Sequence, residues 1–96
     1  MESTKHRIDK GLESLRNGDK EGFWEYISGL QKEDTIAKYL LELVYYTWFF
    51  KPHEAIRRAR RLTSRLSGGD PYALRLFFST MGYVYRIMQN LCYSDL

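Results

Sequence analysis

Three breaks decide what this chain can become. Asn17-Gly18-Asp19, Lys51-Pro52 and Ser67-Gly68-Gly69-Asp70-Pro71 each close one helical pattern and open another. Glycine tolerates the left-handed backbone that ends a helix, and aspartate offers a side-chain oxygen to start the next. Proline suits a first helical turn while disfavouring helix at the residue before it. A softer exit lies at Gly29 with Gln31-Lys32. Between these points the apolar residues recur at helical spacing, and no alternating run bounded by a hairpin turn suggests a strand.

Five helical segments follow. The first is capped by Ser3 or Thr4 and carries Ile8, Leu12 and Leu15 on one face. The second is short, starts at Asp19 and presents Phe23, Trp24, Ile27 and Leu30. Gly22 inside it costs about 1 kcal/mol relative to Ala, so packing must hold it. The third runs from about Glu33 to Phe50 and is ended by Pro52; the fourth runs from Pro52 to Leu66 with Ile56, Ala59, Leu62 and Leu66 facing inward. The last, Pro71 to about Tyr93, has polar residues only in a narrow stripe of Arg75, Ser79, Gly82, Arg86 and Gln89 or Asn90. A helix wetted on so little of its surface belongs at the centre of a bundle.

The expected fold is all-α: a compact bundle of four to five antiparallel helices, joined as helical hairpins, with the last helix most buried. Residues 1–96 make one domain, because two cores would leave each half too small to be stable. Five Phe, two Trp and eight Tyr predict an aromatic rather than an aliphatic core. Glu21-Gly22-Phe23 and Glu54-Ala55-Ile56 echo one another 33 residues apart. That period resembles tetratricopeptide repeats, whose tryptophan, leucine-glycine and tyrosine pattern the chain lacks, so the echo is architectural.

Cys92 is the only cysteine, which excludes an internal disulfide and suits a reducing compartment. Met1 to Lys10 contains no apolar core of a secretory signal. The longest apolar stretch, Tyr39 to Phe50, covers 12 positions and is interrupted by Glu42 and Thr47; a membrane span needs about 20. The expectation is a cytoplasmic chain with no membrane partner.

The net charge of +3 conceals an asymmetry. Residues 1–50 carry seven Lys or Arg against nine Asp or Glu, whereas residues 51–96 carry eight against three. Five arginines, Arg57, Arg58, Arg60, Arg61 and Arg65, fall between Ala55 and Gly69 with no acid among them. Planar guanidinium groups suit phosphate and acidic protein surfaces alike. Equally, carboxylates of the first or third helix can neutralise such a face.

A second candidate comes from the wet stripe of the third helix. Thr35, Lys38 and Glu42 mark it, and the same spacing continues to Tyr45 and Phe49. Unless Phe23 and Trp24 cover them, these rings form an exposed apolar edge of the kind that marks an interface. Rings beside arginines also suit stacking on single-stranded nucleic acid, although most of the arginines lie mid-helix, away from where a helix reads base edges.

Nothing points to catalysis. His6 and His53 have no metal-ligand spacing, Gly68-Gly69 lacks the lysine and Ser/Thr of a phosphate loop, and nothing forces two carboxylates together. No catalytic residue, cofactor or metal site is expected. The sequence therefore favours a non-enzymatic helical interaction module, with Arg57, Arg58, Arg60, Arg61, Arg65, Tyr45 and Phe49 meeting a protein partner or a second copy. Sequence-independent binding of RNA or DNA through the arginine helix is the alternative.

Overall fold

Ser3 and Asp19 show how locally the helix starts are written. In the computed structural model, which describes residues 3–30, 34–66 and 70–94, the Ser3 hydroxyl accepts from the His6 N–H, and the Asp19 carboxylate accepts from the Gly22 N–H. Each capping oxygen satisfies a donor that has no partner inside its own helix. The helices are α1 (Thr4–Arg16), α2 (Lys20–Gly29), α3 (Thr35–Trp48), α4 (Pro52–Thr63) and α5 (Pro71–Ser94), with no strand among the described residues. The expected breaks at Gln31-Lys32 and Ser67-Gly68-Gly69 and the expected start of the third helix at Glu33 lie outside the described residues.

Helix ends reuse one device with different residues. At the end of α1 Gly18 has φ +74, the Asp19 N–H donates to the Ser14 carbonyl and the Gly18 N–H to that of Leu15. At the end of α3 the same pair of bonds recurs, Lys51 N–H to the Tyr46 carbonyl and Phe50 N–H to that of Thr47, but the left-handed position is held by Phe50 at φ +58. A side chain there is strained where glycine is not. So α3 stops two residues before the expected Phe50, at a turn that precedes Pro52, and α4 ends at Thr63 rather than at Leu66.

The expectation that the last helix is the most enclosed is not met: α3 holds the centre. Ala37, Leu40, Leu41, Glu42, Leu43, Val44 and Thr47 are all buried in a helix of 14 residues, and each of the other four helices packs against it. On α5 the described buried positions are Ala73, Phe77, Thr80 and Val84, whereas Phe78, Tyr83 and Tyr85 stand in solvent. In α5 part of the apolar circumference is exposed surface rather than interior. The core also proves aliphatic. Leu, Ile, Val and Ala dominate it, with Phe23 and Phe77 the aromatic members, while Trp24, Tyr26, Tyr39, Tyr45, Tyr46 and Tyr72 lean on its rim. Tyrosine keeps its hydroxyl near water when it can, and the body is only 18 Å across its short axis.

The carboxylate that caps α3 also sets a neighbour. Asp34 caps α3 through the Ala37 N–H and also receives the Thr4 hydroxyl at 2.9 Å and the Arg7 guanidinium at 3.1 Å, which holds the start of α1 against the start of α3. Farther along, Gly11 of α1 lies directly against Leu41: a Cβ built at Gly11 would come within 2.5 Å of Leu41 Cδ1. Helix α5 is tied to α1 by the Tyr72 hydroxyl, which donates to Asp9 Oδ1 at 2.6 Å.

Two stability experiments follow. Gly11→Ala forces buried Leu41 to move, and overpacking of about 1–3 kcal/mol outweighs the gain of about 1 kcal/mol in helix propensity. Urea unfolding should give a lower midpoint for it, and a slightly higher one for Phe50→Gly, which relieves the left-handed phenylalanine by about 0.5 kcal/mol. Tyr72 has its pKa pushed up from 10.0 to about 12, first by the hydrogen bond to Asp9 and then by burial. The bond's contribution is therefore complete below pH 10 and is lost as pH rises through about 12. Stability measured against pH should fall over that window less steeply in Tyr72→Phe than in the wild type; equal slopes would mean the bond contributes nothing.

Candidate functional site

The arginine helix divides by its own rotation. Ala55, Ala59 and Leu62 turn into the core and fix the phase of α4, so residues one step either side of that stripe flank it and the rest face water. Arg58 falls on the flank toward α3. Its Nε donates to Glu42 Oε2 at 3.1 Å, its Nη1 to Glu54 Oε2 at 2.6 Å, and its guanidinium lies 4.7 Å from the centre of the Tyr46 ring. Burial works against the charge, but the Glu42 hydrogen bond, Tyr46 and Glu54 outweigh it and raise the Arg58 pKa above its ordinary value. Glu42 is only 7% exposed and is also approached by Lys38 at 3.9 Å. The expected wet stripe of α3 is therefore an ion-paired seam under α4.

The other four arginines are less committed. Arg57 makes one exposed contact to Glu54 at 3.4 Å. Arg61 and Arg65 sit 6.0 and 5.2 Å from the centre of the Tyr39 ring. Arg60 turns the opposite way, toward α5. Among the described residues no carboxylate lies within ion-pair distance of Arg60, Arg61 or Arg65. Of the five, only Arg58 meets a carboxylate of the third helix; Arg57 reaches Glu54 of its own helix, and the other three meet none among the described residues.

Tyr45 and Phe49 are drawn into contact with α2. Tyr45 stacks on Phe23 with ring centres 5.3 Å apart, meets Trp24 edge-on at 4.8 Å and touches Phe49 at 4.7 Å. Phe49 carries Lys20 at 4.3 Å over its ring. Both are half-buried, so this edge offers a partner little more than its outer rim, and the structure does not bring it together with Arg60.

Large apolar side chains face outward at Trp48 and Phe50 by the end of α3 and at Phe78, Tyr83 and Tyr85 on α5, and two of these line a groove between α4 and α5. A groove of about 510 Å³ has Ile56, Ala59, Arg60 and Thr63 on its α4 wall and Phe77, Phe78, Met81 and Tyr85 on its α5 wall. Phe78 is 66% and Tyr85 61% exposed. An apolar circumference looks like interior in the sequence alone, which hides these α5 residues. The signal was present in the spacing: Leu74, Phe78, Met81, Tyr85 and Met88 succeed one another at steps of four, three, four and three, the repeat of a helix seam meant to face another helix.

Fold and groove together define an all-helical body with an apolar trough beside a cationic ridge. No described helix is long and apolar enough to cross a membrane. No family model, curated protein or solved structure matches the chain.

The difference between paired and unpaired arginines is measurable. Arg58→Ala should lower stability by about 1.5–3 kcal/mol, the usual cost of losing hydrogen bonds to a charged group and leaving Glu42 buried with weaker support. Arg61→Ala should stay within about 0.5 kcal/mol of the wild type. Urea denaturation of the two variants checks the ordering.

Proposed function

We propose that the chain is a small non-enzymatic interaction module, one domain around one core, that binds a protein partner across the outer faces of α4 and α5. The reading takes α2/α3 and α3/α4 as antiparallel hairpins. It is supported by the order of their contacts: Lys20 meets Phe49 while Phe23 meets Tyr45, and Tyr46 meets Arg58 while Tyr39 meets Arg65.

The observation that carries the proposal is the α4/α5 groove. Two large aromatic side chains, Phe78 and Tyr85, line it in the open beside the partly buried Met81 and Met88, and burying each such aromatic is worth about 1.5–3 kcal/mol. Aromatic residues, Met and Arg are the residue types enriched at protein interfaces. The arginine ridge adds electrostatic attraction, which speeds encounter and selects acidic partners.

A second reading, nucleic-acid binding without sequence preference, is favoured by one observation: Arg61 and Arg65 lie against the Tyr39 ring, a cation and a stacking surface side by side. It leaves the methionine-lined groove without use, and so ranks second.

The experiment compares the immobilised wild-type chain with an Arg60→Ser, Phe78→Ser, Tyr85→Ser variant, matched by circular dichroism. A protein retained by the wild type and lost by the variant is the expected result. Labelled single-stranded and duplex oligonucleotides are titrated in parallel. Affinity that falls steeply with salt and disappears in Arg61→Ser with Arg65→Ser, with no variant-dependent protein, would put the nucleic-acid reading in its place.

A further inference from the structure

Resting on the interaction-module reading, the groove's chemistry narrows the partner further. Its floor and walls are apolar apart from Arg60 and Thr63, and the Thr63 hydroxyl already donates to the Ala59 carbonyl at 2.8 Å. An extended segment or loop laid there would leave its backbone N–H and C=O groups facing Phe78, Met81 and Tyr85 without partners, which is costly. A helix brings its backbone bonds with it. The seam from Phe78 to Met88, exposed at Phe78 and Tyr85 and partly buried at Met81 and Met88, covers about 15 Å, three turns at the helical rise, which matches the apolar face of a helix with anchors at i, i+3 or i+4, and i+7.

Charge then separates the candidates. Helices α4 and α5 carry one acid between them, Glu54, and it is engaged by Arg57 and Arg58. Arg60 lines the groove, and Arg57, Arg75 and Arg86 stand exposed on the adjoining faces. A second copy offering its own α5 would bring Arg75 and Arg86 and no carboxylate, setting arginine against arginine. We infer that the α4/α5 groove docks an acidic amphipathic helix of a protein partner, its apolar face on Phe78, Met81 and Tyr85 and its carboxylates on Arg60 and the neighbouring arginines. Unbranched Met81 and Met88 let the groove adapt to the shape of those anchors.

The test uses two stapled helical peptides of about 14 residues. Both carry leucines at i, i+3 and i+7, flanked by glutamate in one and by lysine in the other. The glutamate peptide should bind the full chain at least tenfold more tightly than its lysine twin in fluorescence polarisation. Arg60→Glu should cut that preference about three- to tenfold, as expected for reversing one rim charge, and Phe78→Ser with Tyr85→Ser should abolish binding of both. Phe78 and Tyr85 are exposed, so these variants should fold, and circular dichroism verifies it. Equal binding of the two peptides, or none, overturns the inference. So does a concentration-dependent dimer in sedimentation that Phe78→Ser dissolves, since the occupant is then a second copy. If the peptides fail while the wild type still retains a protein that the groove variant loses, the acidic helix is wrong and the interaction module stands; if both fail, both fall.

Discussion

The burial of α3 is the constraint to which the rest of the structure answers. A helix of 14 residues with seven buried side chains, one of them a glutamate, cannot be satisfied by a single neighbour, and four helices close around it. Glu42 and the capping Asp34 then do different work from its leucines. Leucines attract any apolar face, whereas Asp34 accepts only where Thr4 and Arg7 arrive and Glu42 only where Arg58 arrives. A buried carboxylate without its donors is expensive, so these contacts fix where α1 and α4 sit along α3 as well as that they pack there.

Fixing α4 decides the surface. With Ala55, Ala59 and Leu62 inward and Arg58 pinned to Glu42, the helical period leaves Arg57 and Arg61 outward and sends Arg60 toward α5 and Arg65 toward Tyr39. The charge asymmetry between the two halves of the chain is thus resolved only in part. The acidic excess of residues 1–50 reaches α4 through Glu42; Asp34 is engaged by α1 and Asp9 by Tyr72. Neutralisation stops at the α3 side of α4, and the cationic ridge on its outer faces is what remains.

Local chemistry was legible in the sequence, and long-range enclosure was not. Ser3, Gly18, Asp19 and Pro71 act within a turn of themselves, so their roles follow from residue type, and the structure uses them as such. Glu42 shares the spacing of Thr35 and Lys38, which marks it as wet in the sequence; only the approach of Arg58, sixteen residues on, makes it buried. Tyr45 and Phe49 share that stripe, and their cover comes from Phe23 and Trp24 on another helix. The centrality assigned to α5 failed for a related reason. An apolar circumference states what a helix would bury if it had neighbours on all sides, and says nothing of how many neighbours one chain can supply.

Length explains why they run out. Helix α3 spans about 21 Å and α5 about 36 Å at the helical rise, so nearly half of α5 has no α3 alongside it. The core contacts of α5 thin out after Val84, the last buried position described on it, while the four-three spacing of its outward seam continues to Met88. Propensity and internal packing account for the first half of the helix. They give no reason to carry Phe78 and Tyr85 in water, where each forgoes about 1.5–3 kcal/mol of burial. An apolar seam left open in this way would ordinarily invite unspecific association. Arg60 in the groove and Arg75 and Arg86 beside it oppose that by placing like charges wherever two copies approach on this face. If the groove docks a partner as proposed, the same arginines would disfavour a second copy and favour a surface of opposite sign, so that its selectivity would arise from charges that contribute little to the fold.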